Sequence, residues 1–147
     1  MSRFVTVRRD ERGAAAIEMA IALPTLVLFL WGIFQLGLVF QANAGMQHAL
    51  GEGARLATLC YSPSASGCSV PTNDAIEDKI SANVFGTGVG TFSTPTVTDG
   101  PGGSNYKDLS VTFSMPTNFL FFNGPTIDLT QSKRVYIANY FPEEEEA

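Results

Sequence analysis

Residues 19–51 read MAIALPTLVLFLWGIFQLGLVFQANAGMQHALG, with no Asp, Glu, Lys or Arg between Glu18 and Glu52. The apolar part of this run extends to Phe40. About 20 apolar residues cross a bilayer as a helix, so the stretch is long enough to span one. The chain has 147 residues. Once a span is set aside, roughly 95 remain for one small domain, whose core is marginal without disulfides or assembly.

Charge falls unevenly on the two sides of the run. Residues 1–13 carry Arg3, Arg8, Arg9 and Arg12 against Asp10 and Glu11, and everything after the run is acidic on balance. A short basic flank stays in the cytoplasm, which predicts a cytoplasmic amino terminus with the bulk of the chain outside. An acidic outer domain also argues against nucleic acid as a partner.

Helical character is expected to continue past the membrane. Residues 43–59, NAGMQHALGEGARLATL, place Gly45, Ala49, Gly53 and Ala57 at i, i+4 spacing on one face. Such a stripe of small residues either lets another backbone approach closely for helix packing or reflects an Ala/Gly-rich composition. A single helix over residues 14–59 would be about 70 Å long, roughly twice the hydrocarbon thickness.

A loop with breakers at Pro63 and Pro71 follows, and it holds both cysteines, Cys60 and Cys68. Around YSPSASG they can close a short disulfide loop in an oxidising compartment. The alternatives are two free thiols or half of a metal site, but His48 is the only His and no other Cys exists to complete a zinc cage. Further on, Thr72-Asn73-Asp74 offers an amino cap, with Asp74 and Glu77 at capping-box spacing. Ile76, Ile80 and Val84 predict a short amphipathic helix as far as Phe85, ended by residues 86–90.

The last third reads as β. Residues 96–98 form a weak strand, and Leu109, Val111, Phe113 and Met115 alternate with polar residues, predicting a strand over 108–115. NFLFFN at 118–123 is apolar, Asn123-Gly124-Pro125 marks a turn, and strand character resumes at 135–140 after the polar residues 131–134. The expected fold class is therefore α+β: a long amino-terminal transmembrane, pilin-like helix followed by a small antiparallel β-rich periplasmic domain of three or four strands. The expected divisions are a leader at 1–13, the membrane helix at 14–41, its extension at 42–60, the domain at 61–142 and an acidic tail at 143–147.

Catalytic candidates are weak. His48 lies just past the membrane run, where a triad would need a nucleophile and an orienting acid beside it. Gly86-Thr87-Gly88-Val89-Gly90 resembles a phosphate loop only in its glycines, lacking the preceding strand and the Lys. The reading therefore assigns no catalytic, cofactor-binding or metal site and no cofactor. Glu18 stands apart. A carboxylate at the start of an apolar helix is costly, and it either finds a neutralising partner or snorkels to the headgroups.

RGAAAIE at 12–18 resembles the processing site of type IV prepilins, in which a membrane peptidase cuts after a Gly that follows a basic leader. Cutting between Gly13 and Ala14 would put Glu18 at the fifth mature position, where that family carries Glu. Residues 12–37, together with 46–60 and their Gly53-Ala54-Arg55, are similar to TadE-like pseudopilins of the tight adherence (Tad) pilus system. Met19 stands where the major Tad pilins have Tyr, and the chain is longer than those small subunits. The resemblance therefore implies a minor pilin or pseudopilin, TadE-like or TadF-like, engaged in assembly or initiation of an adhesive pilus. Its implied partners are a prepilin peptidase, other pilins and the Tad inner-membrane assembly proteins, in a hetero-oligomer, with Glu18 pairing with a neighbour's Ala14 ammonium.

Two rivals carry different termini. A secreted protein could be cut after Ala44, since Ala42-Asn43-Ala44 resembles an A-x-A site, although the apolar run exceeds a signal peptide's 7–15 residue apolar region. A signal-anchored periplasmic protein would keep Met1 or Ser2.

Overall fold

The computed structural model describes residues 11–59, 63–64, 67–68, 70–86, 88–102, 105–119 and 122–137. Helix α1 runs unbroken over Glu11–Ala57, 47 residues and so about 70 Å. Pro24 lies inside it, costing one backbone hydrogen bond, and beside it the Thr25 hydroxyl donates to the Ile21 carbonyl at 2.9 Å. Residues 13–27 are exposed throughout. Burial begins in earnest at Ala42 and continues through Met46, Ala49, Leu50, Ala54 and Ala57. One helix thus serves two environments.

The carboxyl-terminal half of α1 carries the domain. Helix α2, Asn73–Asn83, buries Ile76 and Ile80 against it. Its cap is Thr72, whose side chain accepts from the Ala75 amide at 3.3 Å. The expected Asp74–Glu77 box is not used. Asp74 sits in the first turn, and Glu77 Oε1 instead accepts from the Val97 amide at 2.8 Å, tying α2 to the sheet. The fold satisfies a strand-edge donor with a side chain that sequence spacing alone would spend on the helix end.

Two short strands, β1 (Pro63–Ser64) and β2 (Gly67–Cys68), pair as a small hairpin in the stretch expected to be loop. The expected Cys60–Cys68 disulfide falls outside the described residues, since Cys60 is not among them and only the backbone of Cys68 is. The main sheet has four antiparallel strands: β3 (Thr91–Phe92), β4 (Thr96–Asp99), β5 (Tyr106–Phe119) and β6 (Phe122–Tyr136). β5 is central, with β3 and β4 sharing one of its edges and β6 lying along the other. Lys107, Leu109, Val111, Phe113, Met115 and Thr117 all point inward from β5, the period-2 pattern of a half-buried strand.

Two sequence expectations give way here, and one strand is added. The turn is not at Asn123-Gly124-Pro125: Phe119 pairs with Phe122, and those three residues lie within β6. Residues 131–134 do not interrupt a strand, because β6 runs through them with its polar side chains outward. Thr91 and Phe92, beyond the glycine-rich linker, form a strand of their own. Pairing along the whole of β5 overrides local turn signals, since each added rung satisfies backbone groups that a loop would leave to water.

Candidate functional site

The glycines of α1 divide the helix into two kinds of surface. A Cβ at Gly45 would lie 2.2 Å from the Phe85 backbone oxygen, and one at Gly53 would lie 2.4 Å from Ile80 Cγ1. At Gly13, Gly32 and Gly37 a Cβ would meet nothing within 4 Å. The stripe of Gly45, Ala49, Gly53 and Ala57 is buried and faces α2 and its C-terminal turn within the same chain. His48 is exposed, its ring 5.8 Å from that of Phe85.

Gly13 and Glu18 belong to the other surface. Glu18 is exposed between Ile17 and Met19, each about two-thirds exposed, on a helix with mean hydropathy 2.0 over its most apolar window. Among the described residues it forms no ion pair. α1 is therefore long and apolar enough, over Gly13–Ala57, to cross a membrane. Gly13 has helical rather than left-handed backbone, so neither strain nor packing within the chain calls for glycine there. Glycine in a helix interior costs about 1 kcal/mol relative to alanine. That cost has no return inside the fold.

Charges gather at the opposite end of the domain. Lys107 is buried, and its ammonium donates to Asp99 and to the side-chain oxygen of Asn73, while Asn73 Nδ2 donates to Asp99 Oδ2 at 3.0 Å. The Lys107 hydrogen bond, followed by that of Asn73, holds the Asp99 carboxyl below its ordinary range. Arg134 grips Asp108 through two hydrogen bonds of 2.8 and 2.9 Å and lies 4.2 Å from the Tyr106 ring centroid. That grip lowers the Asp108 carboxyl and raises the guanidinium. These pairs are closed structural contacts. No group of three or more His, Cys, Asp or Glu among the described residues is placed to hold a metal ion.

One contact escaped the sequence reading. The β5–β6 hairpin returns along the exposed half of α1, where Trp31 Nε1 donates to the Asn118 carbonyl at 2.7 Å and Gln35 Nε2 donates to the same oxygen. Beside this clamp, helix and hairpin border an open apolar groove of about 520 Å³, lined among others by Leu28, Leu36, Val39, Phe119 and Ile127. The signal was present: residues 109–127 are as free of charge as residues 19–51.

The fold is α+β, with a helix that is long and apolar enough at one end to cross a membrane and packed through small residues at the other. Residues 13–55 match the family model described as TadE-like protein. The match begins at Gly13 and ends where the small-residue stripe packs on α2, so it is most of α1, and not the rest of the chain, that is similar to TadE-like proteins. No curated protein matches the chain, and no solved structure does.

Proposed function

We propose that this protein is a minor pilin, or pseudopilin, that takes part in assembling a Tad-type adhesive pilus. In this reading a prepilin peptidase removes residues 1–13 by cutting between Gly13 and Ala14. The amino terminus faces the cytoplasm, and the domain stands in the periplasm on the inner membrane. Glu18 is the observation that carries it: a carboxylate on an exposed apolar surface, five residues beyond a glycine that the fold itself does not require, within the TadE-like segment.

Cleavage leaves an ammonium on Ala14 at an apolar helix end. In a bundle, Glu18 of one subunit pairs with that ammonium on another, so that neither charge enters a low-dielectric setting alone. The groups act between subunits, other pilins and the assembly proteins being the partners, which makes the unit a hetero-oligomer.

Mass spectrometry of the membrane fraction, with and without the peptidase, tests the processing. A mature terminus at Ala14 supports it; Met1 or Ser2 in both strains would leave a plain anchor, and Gly45 would mean secretion. Glu18→Ala tests the assembly role. Breaking a buried pair from one side costs about 3–5 kcal/mol, so the variant should be cleaved normally yet fail to co-purify with other pilus subunits. Glu18→Asp should fall between. Normal piliation with Glu18→Ala would reduce this residue to an interfacial one.

A further inference from the structure

We propose that the end of the β5–β6 hairpin, at Phe119 and Phe122, is a second membrane-inserted element, seated at the headgroup–acyl boundary of the outer leaflet beside α1. This rests on α1 spanning the bilayer. With Glu18 at the inner boundary, Trp31 and Gln35 lie about 20 and 26 Å along the helix, inside a hydrocarbon layer about 30 Å thick. Both donate to the carbonyl of Asn118. The clamp fixes the hairpin tip at that level, where bilayer lipid is the surrounding medium.

The tip is built for such a place. Phe119 and Phe122 stack with ring centroids 4.7 Å apart, and Phe122 is 58 % exposed. No charged side chain occurs between Asp108 and Asp128, whereas the domain's ion pairs sit at the far end of the same hairpin. Backbone polarity is reduced in the same region. Pro116 and Pro125 bring no N–H, the Pro125 carbonyl accepts from the Thr117 hydroxyl at 2.6 Å, and the Asn118 carbonyl has two donors. An open strand edge is not tolerated deep in hydrocarbon, which limits the tip to the boundary region. Apolar faces rich in Phe and Leu bury about 5–10 Å into that boundary. The hairpin would stop the domain from swinging about α1, presenting it at a fixed angle to neighbouring subunits.

Trp31 is the only tryptophan, so emission of the full-length chain in phosphatidylcholine vesicles reports the helix level directly. Phe122→Trp in a Trp31→Phe background reports the tip, with Gln35 still holding Asn118. The lipids carry bromine near the headgroup end or near the methyl end of the acyl chain, at a low protein-to-lipid ratio. The expected result is loss of emission from both indoles, greatest at the tip with the shallow bromines, and protection of the tip from aqueous acrylamide. Phe122→Trp in the otherwise native chain, read by difference, keeps the Trp31–Asn118 bond and should agree. A quenched Trp31 beside a tip open to acrylamide overturns the insertion while leaving the spanning helix intact. A tip shielded from both quenchers would be covered by a second copy, which also overturns it. If neither indole meets bromine, the spanning reading fails and the insertion falls with it.

Discussion

The two ends of α1 have the same helical period, yet they solve opposite problems. Residues 13–27 are apolar nearly all round and bury none of their side chains within the chain, with Ile17, Met19 and Ile21 each about two-thirds exposed. From Ala42 to Ala57 the helix instead narrows one face to Gly and Ala, and α2 and the sheet close against that face. The difference teaches that the exposed half is apolar on every face, whereas the packed half turns Gln47, His48 and Arg55 outward and narrows its inner face to small residues. Lipid tails fill any shape, so bulky residues lose nothing among them, whereas a packed helix must admit a neighbour's backbone.

The sharpest way to break this comparison is to empty the packed half. Ile80→Ala removes a fully buried side chain lying over Gly53, and should cost about 2–5 kcal/mol. Circular-dichroism melting of the full chain in detergent should show the domain unfolding earlier. Hydrogen exchange over residues 13–27 should not change. Equal loosening of both halves would mean that α1 folds as one unit and that the division is only geometric.

Glycine substitutions give a smaller and more direct contrast. Gly45→Ala drives a Cβ into the Phe85 carbonyl, a backbone atom with little room to yield, and should cost about 1–3 kcal/mol. Gly37→Ala meets nothing, so helix propensity alone should stabilise it by up to about 1 kcal/mol. The two changes are chemically identical and lie eight positions apart in one helix. Melting temperatures that move in the same direction would sink the distinction.

Much of this division was open to a reader of the sequence, because it is written in residue type. The uncharged run, the small stripe and the alternation of Leu109, Val111, Phe113 and Met115 each follow from local periodicity. What stayed hidden depends on partners far apart in the chain. Glu77 looked like a capping residue until the Val97 amide arrived 20 positions later. Asn123-Gly124-Pro125 carries strong turn chemistry, but β5 and β6 pair past it, with an irregularity between Pro116 and Asn118 absorbing the misfit. In the candidate site, Gly13, Ala14 and Glu18 were singled out through the resemblance of residues 12–18 to a prepilin processing site. The Trp31–Gln35–Asn118 clamp was not, since nothing local marks a backbone carbonyl as an acceptor for a helix over 80 positions away.

The smallest effect concerns pH and sharpens the contrast from the charged end of the domain. Asp99 has its carboxyl lowered chiefly by the Lys107 hydrogen bond, with Asn73 second. A carboxyl whose folded pKa lies below its unfolded value, about 3.9, stabilises the fold above that value. The contribution is lost as pH falls through the lower folded pKa. Protonated Asp99 no longer offers an anion to the buried Lys107 ammonium, which then keeps only the Asn73 oxygen. Asp108, lowered by Arg134, titrates in the same direction, so wild-type melting should drop on acidification below about pH 4 through both groups. Asp99→Asn isolates one of them. Because Asp99 is 62 % exposed, solvent screening limits the loss at neutral pH to about 0.5–1 kcal/mol. The gap between variant and wild type should then close as the pH falls. Residues 13–27 hold one carboxylate, Glu18, and no ion pair forms there among the described residues, so hydrogen exchange in that half should not follow the domain's acid loosening. A gap that persists undiminished in acid would assign the Asp99→Asn defect to lost shape rather than lost charge.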